Sequence, residues 1–480
     1  MLGNGGKTMN YDLVVGLETH VELLTKTKIF CSCANKFGAT PNTNCCPVCI
    51  GLPGTLPKLN KEVVNFAIKA ALALNCEVNL VSKMDRKNYV YPDLSKAYQI
   101  SQFYEPICKN GYIELDSGKK IRINHIHMEE DAGKLVHQGG DVYVDYNRAG
   151  VPLLEIVTEP DISSSEEAKE YVEKLQMIMR YIGVSDCKMQ EGSMRCDVNV
   201  SVKPEGSKKL GIRTEIKNMN SITFMTKAID YEFERHKEII ENGGSVVQQT
   251  LRYIEETNST ESMRSKEDAQ DYRYFRDPDL VDIVLTKEQV EKIKEALPEL
   301  PGLRFKRYVN EFDIPEKDAK LLVKYKNVSD YFETASKGLK NPKVISNFII
   351  GQIFRTLESE SEKEEFKILT TSRQLCEVCK LIESGKLNMN LAKKALKEML
   401  ETGKDVTAFV SESDMQGMSD EEIQKYCKEA IEENQNAVKD YLSGKEKALK
   451  AILGGVMKKT RGRGNAQSIE EKLIELLKSN

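Results

Sequence analysis

The chain has no run of about 18 apolar residues, which excludes a membrane-spanning helix of ordinary length. Its first residues, MLGNGGKTMN, hold neither an apolar export core nor an Arg-rich amphipathic pattern. The expected location is therefore cytoplasmic, with Met9 an alternative start behind eight residues whose sequence predicts no regular structure. No GxxxxGK[ST] loop occurs, and GGVMKKT near residue 454 lacks the GK pair, so a P-loop nucleotide site is not supported. A GxSxG nucleophile elbow is also missing. Nor is there an internal repeat or a low-complexity tract. The formal net charge of -4 gives no global pull toward nucleic acid, so any such contact must be local.

What is there reads as a soluble globular protein. The chain has 480 residues, 40% hydrophobic and 30% charged, and length alone suggests about three domains. Up to about residue 290 alternating segments predict strands: YDLVVGLETHVEL, KKIRINHIH, DVYVDYN, PLLEIVTE and CDVNVSV. Helical patterns over 60–74 and 165–182 interrupt them, the second opening on Ser165 and a run of Glu. Beyond the PELPG turn at 298–302 the pattern is helical, and 403–419 reads as a connection. The expected fold is α+β: a large strand-rich, cradle-like catalytic domain over 1–296, then all-helical modules over 297–408 and 409–480.

Twelve cysteines in a chain of this size, with no export signal, do not describe a disulfide scaffold. Five of them fall within FCSCANKFGATPNTNCCPVCIGLPG, as Cys31-x-Cys33, twelve residues, then Cys46-x-x-Cys49. Two close pairs on turn-rich chain can converge on one tetrahedral zinc, with thiolates about 2.3 Å from the ion. Gly51 and Pro53 supply the tight turn such a knuckle needs. Four soft ligands leave no open position, so the role is structural. Cys45 competes with Cys46 for the third ligand position. The pair Cys376 and Cys379 stands alone in helical sequence and is assigned no function.

Carboxylates carry the second signal. In the first strand Leu13, Val15, Leu17, Thr19, Val21 and Leu23 share one face, while Glu18, His20 and Glu22 share the other. Glu155 lies between Leu153-Leu154 and Ile156-Val157, so it is part-buried and needs a partner. Asp197 stands in a similar strand beside Arg195, and HIHMEEDAGK adds Glu129 and Glu130. An oxygen-rich, imidazole-poor set suits Mg²⁺ or Mn²⁺ better than zinc, and Mg²⁺ commonly shares its shell with substrate phosphates. Lys83, Arg86, Lys87, Lys134, Arg148 and Arg195 are basic residues nearby in sequence that can meet phosphate, although each also fits a plain solvated surface. No Gly/Ser-rich segment resembles an amidase nucleophile, so an enzyme handling nitrogen here must receive ammonia from elsewhere.

VVGLETHVEL, the CxC…CPVC knuckle, DRKNYVYPDLSKAYQISQ, HMEEDAGK, VDYNRAGVPLLEIVTEPD, KMQEGSMRCDVNVSV, TEIKNMNS and DYRYFRDPDL occur in this order. Together they resemble the GatB family, the B subunits of aspartyl/glutamyl-tRNA(Asn/Gln) amidotransferases, from about residue 11 to the end. The resemblance implies ATP-dependent phosphorylation of the side-chain carboxylate of Glu-tRNA(Gln) or Asp-tRNA(Asn), followed by amidation. It implies partners as well, in a heterotrimer: an amidase A subunit that draws ammonia from glutamine, and a small C subunit, with aminoacyl-tRNA as substrate. By resemblance His20, Glu130 and Glu155 match Mg²⁺ ligands. Glu18, Glu129 and Asp197 match acids for a second metal or for ammonia handling, and Lys87 matches a phosphate contact beside Arg195. Members differ in whether they carry the four cysteines, and this chain carries them.

From Lys445 to Arg463 seven basic residues face one acid, ending in KKTRGRG. Lys458, Lys459, Arg461 and Arg463 are the expected contacts to tRNA phosphate, made without reading bases. Two other readings use the same residues, a non-catalytic tRNA scaffold and a metal-dependent nuclease. A buried Glu155 speaks against the first, and a need for ATP against the second. In an ideal strand His127 and Glu129 point one way and Glu130 the other, so a ligand at Glu130 requires a bend or bulge near Glu129. His125 and His127 are then supporting groups rather than ligands.

Overall fold

A computed structural model describes residues 10–265, 271–411, 420–443, 445–460 and 466–478. They divide into two compact units at Leu300/Pro301. The expected first boundary, at 296, moves four residues along because Leu297 and Leu300 pack against the core of the first unit.

The strands of that unit are, in chain order, β1 (Tyr11–Glu22), β2 (Glu77–Val78), β3 (Val81–Ser82), β4 (Asp85–Asn88), β5 (Tyr98–Ser101), β6 (Cys108–Glu114), β7 (Lys120–Glu130) and β8 (Lys134–Gln138). After them come β9 (Asp141–Asp145), β10 (Pro152–Thr158), β11 (Met194–Pro204), β12 (Thr214–Met219), β13 (Gln249–Ile254), β14 (Ser259–Ser265), β15 (Phe275–Arg276) and β16 (Ile283–Val284). Nine form one sheet in the order β14-β13-β12-β11-β1-β10-β7-β6-β2. Among the described residues every pair in it is antiparallel except β12–β13. Small sheets β15-β4-β5 and β16-β3 and the hairpin β8-β9 complete the unit.

β1 lies between β10 and β11, and its alternation decides what each face carries. Val15, Leu17, Thr19 and Val21 are buried, as the period of two requires. Three helices close the core: α1 (Lys61–Ala73), α2 (Ser165–Tyr181) and α3 (Ile222–Glu241). α1 packs on β6 and β7, and α3 on β11 and on α2. Asn60 caps α1 by accepting from the Glu62 amide at 2.9 Å. The cap of α2 is Ser164, one residue before the Ser165 read from sequence, and it accepts from the Glu167 amide at 3.1 Å.

The second unit is helical, from Pro301–Asn310 to Ala466–Lys478. Its buried apolar residues gather in two clusters, Tyr308 to Val410 and Ile423 to Leu477. Cys376 and Cys379 sit in the helix Ser372–Glu383, both buried. Among the described residues no helix is long and apolar enough to cross a membrane.

One buried carboxylate holds α3 to the sheet. Glu232 is fully buried and accepts from Thr214 Oγ1 at 2.7 Å, Thr260 Oγ1 at 2.5 Å and the Arg235 guanidinium at 2.8 and 2.7 Å. Burial opposes its ionisation, but these donors and His236 hold it well below the ordinary carboxylate range. A depressed folded pKa contributes stability that is present above the unfolded value, about 4.5, and is lost as pH falls through the folded one. Glu232→Gln should therefore lower the unfolding free energy at pH 7 by about 3 kcal/mol in urea. The deficit should shrink below pH 4; an equal deficit at pH 7 and pH 3 would contradict this account.

Candidate functional site

Residues directly opposite on paired strands share a face. β1 pairs Glu18 with Val157, His20 with Glu155 and Glu22 with Leu153. On its other side it pairs Glu18 with Asp197 and His20 with Arg195. β10 pairs Val157 with His125, Glu155 with His127 and Leu153 with Glu129. Three cross-strand rows result: Asp197-Glu18-Val157-His125, Arg195-His20-Glu155-His127 and Glu22-Leu153-Glu129. The opposite face holds Leu17, Thr19, Val21, Leu154, Ile156, Ile126 and Met128 in the core.

At the centre, His20 Nε2 lies 3.4 Å from Glu129 Oε1 and 3.5 Å from Glu155 Oε2. His127 Nε2 lies 3.0 Å from Glu155 and 3.7 Å from Glu129. One ligand atom each from His20, Glu129 and Glu155 falls within 4.8 Å of the other two. Burial works against a charged His127, but Glu155 and Glu129 outweigh it and push its pKa up to about 10. His20 is raised in the same way, burial opposing and Glu155 prevailing. Glu155 is held well below the usual range by His127 and His20 despite its burial. His125, stacked on His127 with centroids 5.3 Å apart, is pushed down to about 4 by burial and by that neighbour.

Two further stations flank this one along β1. Glu18, Asp197 and Glu215 form a second group, made of three carboxylates. Lys217 bridges Asp197 at 2.7 Å and Glu215 at 2.5 Å, and Asn199 donates to Glu18 at 2.9 Å. Asn218 adopts φ 57°, which turns its amide onto Asp197 at 2.8 Å. On the other flank Arg195 pairs with the buried Asp131 at 3.0 Å, and Arg148 stands 3.5 Å from the same acid. Glu22 beside them is raised to about 7 by burial and by Asp131.

Glu130 does not join His20 and Glu155. β7 keeps its register with β10 through Glu130, and the irregularity falls at Val157/Thr158 instead of near Glu129. With no bulge to turn it, Glu130 stays on the face of Met128, where it pairs with Lys96 and accepts from the Ile100 amide at 2.9 Å. Glu129 takes the place expected of Glu130. Lys87 stands 4.7 Å from the Tyr272 ring centroid, with no carboxylate in ion-pair range among the described residues. Lys83 and Arg86 are by contrast engaged, with Glu105 and with Asp277 and Asp279. In the tail Lys459 is tied to Glu429 at 3.2 Å and Glu433 at 2.6 Å, and Lys458 is exposed. Arg461 and Arg463 lie outside the described residues.

Sequence reasoning missed Glu215, Lys217, Lys96 and Asp131. Glu215 and Lys217 alternate with buried Thr214 and Ile216 in TEIKNM, the pattern that revealed Glu18 and His20. Nothing in the sequence says that β12 lies beside β11.

The cysteine knuckle is assembled. Ligand atoms of Cys31, Cys33, Cys46 and Cys49 all lie within 4.8 Å of one another, and such a group can hold a structural zinc ion. Cys45 points elsewhere, donating to the Asn42 carbonyl at 3.3 Å, so Cys46 is the third member. A hydrogen bond from Cys31, aided by the Cys46 amide and Lys28, holds Cys49 well below the thiol range against its burial. Gly51 has φ 70°, and a Cβ there would stand 2.7 Å from the Ser95 carbonyl; the turn after CPVC thus abuts the 91–97 loop. Ser95 Oγ donates to the Cys49 carbonyl at 2.9 Å.

Residues 13–291 match the family model of the GatB/GatE catalytic domain, and residues 330–477 match that of the GatB domain. The chain is 50% identical over 474 residues to the B subunit of the aspartyl/glutamyl-tRNA(Asn/Gln) amidotransferase of Caldanaerobacter subterraneus subsp. tengcongensis, covering 98% of this chain and 100% of that one. Similarity to the corresponding B subunit of Thermoanaerobacter pseudethanolicus has the same extent. That of Clostridium tetani is 50% identical over 473 residues, covering 97% and 99%.

Two measurements test this geometry. In ¹⁵N-histidine spectra of metal-free protein, His127 should titrate near pH 10 and His125 near pH 4. Glu155→Gln should bring His127 back toward its ordinary value of about 6.5; the same midpoint in both proteins would refute the pairing. Separately, metal analysis should find zinc lost in Cys46→Ser and kept in Cys45→Ser, and the reverse result would exchange the two thiols.

Proposed function

The chain belongs to the GatB family, and from that premise we propose how it works as the B subunit of a tRNA-dependent amidotransferase, a ligase. It phosphorylates the side-chain carboxylate of Glu-tRNA(Gln), of Asp-tRNA(Asn) or of both with ATP, then amidates it. The chemistry demands this order. A carboxylate repels nucleophiles and has no leaving group. Transfer of the γ-phosphoryl group makes an acyl phosphate and releases ADP; ammonia then attacks the acyl carbon, sheds a proton and expels phosphate.

The observation that carries the reading is the His20-Glu129-Glu155 group on one sheet face, with Glu129 buried and the other two part-buried. One imidazole nitrogen and two carboxylates, with oxygen donors in the majority, suit Mg²⁺ or Mn²⁺. Such an ion, when bound, neutralises charge on the transferring phosphoryl group. His127 holds Glu155 in place from behind, at 3.0 Å. Glu18, Asp197 and Glu215 form the second acidic station, for another cation or for handling ammonia. Lys87, with no carboxylate in ion-pair range among the described residues, meets phosphate; Arg195, fixed by Asp131, does so from β11. The hydrolytic nucleophile that would free ammonia from glutamine belongs to an amidase A subunit, joined through a small C subunit. The tail over 409–480 holds tRNA through the phosphate contacts of Lys458, Arg461 and Arg463, with Lys459 partly spent on Glu429 and Glu433. A passive scaffold has no use for Glu155, an acid set within an apolar strand between two histidines.

The assay combines the purified complex with ammonium, ATP and Glu-tRNA(Gln). Glu129→Gln should cut amidation and ATP hydrolysis by at least about 100-fold while tRNA binding persists. Mn²⁺ binding followed by electron paramagnetic resonance should weaken in Glu129→Gln and survive in Glu130→Gln. Wild-type turnover in Glu129→Gln would sink the assignment.

A further inference from the structure

Lys28 is fully buried, three residues before the first knuckle cysteine. Its Nζ donates to the Asn44 carbonyl at 3.0 Å and the Tyr146 carbonyl at 3.3 Å, and lies 3.7 Å from Cys49 Sγ. Among the described residues no carboxylate lies within ion-pair range of it. Its stem is covered by Gly150, where φ is 81° and a Cβ would come 3.6 Å from Lys28 Cδ and 3.7 Å from Cys49 Cβ. An ammonium out of water needs both hydrogen-bond acceptors and a counter-charge. The two carbonyls accept, but they carry no charge. The anion available to it is the thiolate of Cys49.

The knuckle has the mirror-image problem. Four thiolates around one divalent cation leave a net charge of about -2, here part-buried at Cys31, Cys33 and Cys46 and buried at Cys49, and supporting hydrogen bonds decide how well such a group is held. We propose that Lys28 is the built-in counter-cation of the four-thiolate metal group, and that holding the ion and fastening the knuckle to the catalytic sheet are therefore one event. The inference rests on the reading that this knuckle takes zinc. It also gives the knuckle a route to the acids. Lys28 grips Tyr146, and two residues on Arg148 donates to the Ala132 carbonyl at 3.0 Å and the Gly133 carbonyl at 2.7 Å. Gly150 N donates to the Asp131 carbonyl at 2.9 Å, and Asp131 in turn fixes Arg195.

The test follows zinc release from the full-length chain to excess 4-(2-pyridylazo)resorcinol. Lys28→Gln keeps a donor and removes the charge. It should release zinc at least about tenfold faster than wild type, the usual scale for a lost supporting partner of a metal ligand. In the cobalt-substituted protein its thiolate-to-metal charge-transfer band should move to lower energy, because the sulfur electrons are no longer stabilised by a cation. A folded Lys28→Gln with a release rate within twofold of wild type and an unmoved band overturns the role of Lys28 and leaves the zinc reading standing. A wild-type chain that carries no zinc and takes up no cobalt overturns both. Should Lys28→Gln fail to fold, wild-type protein decides through acetylation read by mass spectrometry. Lys28 should be among the slowest lysines to react with zinc bound and at least about tenfold faster once zinc is stripped; equal protection in both states overturns the proposal.

Discussion

The two-sidedness of β1 is the constraint from which the site follows. One strand at the middle of a nine-stranded sheet must bury Val15, Leu17, Thr19 and Val21. With a side-chain period of two, that burial leaves Glu18, His20 and Glu22 no choice but the opposite face. Antiparallel pairing then sets Asp197, Arg195, Glu155 and, one strand further, His127 and Glu129 beside them. A slip of one residue between β1 and β10 would send the acids into the core and the leucines into the site. The hydrophobic face is thus what holds the chemical face in register, and its stability is a condition of the chemistry.

Crowding acids on one face carries a cost that the chain meets locally. A carboxylate withdrawn from water is tolerable only beside donors or opposite charge. Each acidic station has its own partner: His127 and His20 for Glu155, Lys217 for Asp197 and Glu215, Arg195 and Arg148 for Asp131. The partners differ in kind. Lysine and arginine keep their charge across the physiological range, whereas histidine gives its proton up to a competing cation. Of the stations, the one whose acids are matched by imidazoles is the one best suited to exchange that partner for a divalent ion.

The residues that the sequence made legible are those whose signal lies within one strand. Alternation alone placed Glu18, His20 and Glu155, and spacing alone placed the four cysteines. What the sequence withheld depends on neighbours. Glu130 was wrongly expected beside His20, because accepting it required a bulge in β7; the actual irregularity at Val157/Thr158 leaves the register at Glu129 untouched. Glu215 and Lys217 join the site only because β12 lies against β11, through a register shift between Cys196 and Val198. Cys45 and Cys46 are adjacent and chemically equal, and their separation comes from the turn at Asn42, whose carbonyl takes the Cys45 thiol. The α+β class was readable because the hydrophobic period itself changes from two to that of a helix near residue 300.

The cysteine knuckle and the acid rows also share supports, and this bears on why two kinds of metal donor occur in one unit. The 91–97 loop touches the knuckle through Ser95 and Glu130 through Lys96. The 146–150 loop touches the knuckle through Tyr146 and Asp131 through Arg148 and Gly150. Loops are ordinarily the least stable parts of a fold, yet the second of these positions charged groups beside the site, Arg148 and Asp131. A four-thiolate group that closes on an ion leaves that ion no open position and adds stability where the apolar core does not reach. Softness keeps the two donor sets from competing: thiolates take the soft ion, carboxylates the hard one. A closed soft-donor set and an open hard-donor set are opposite requirements, and one unit meets both by building them from different atoms.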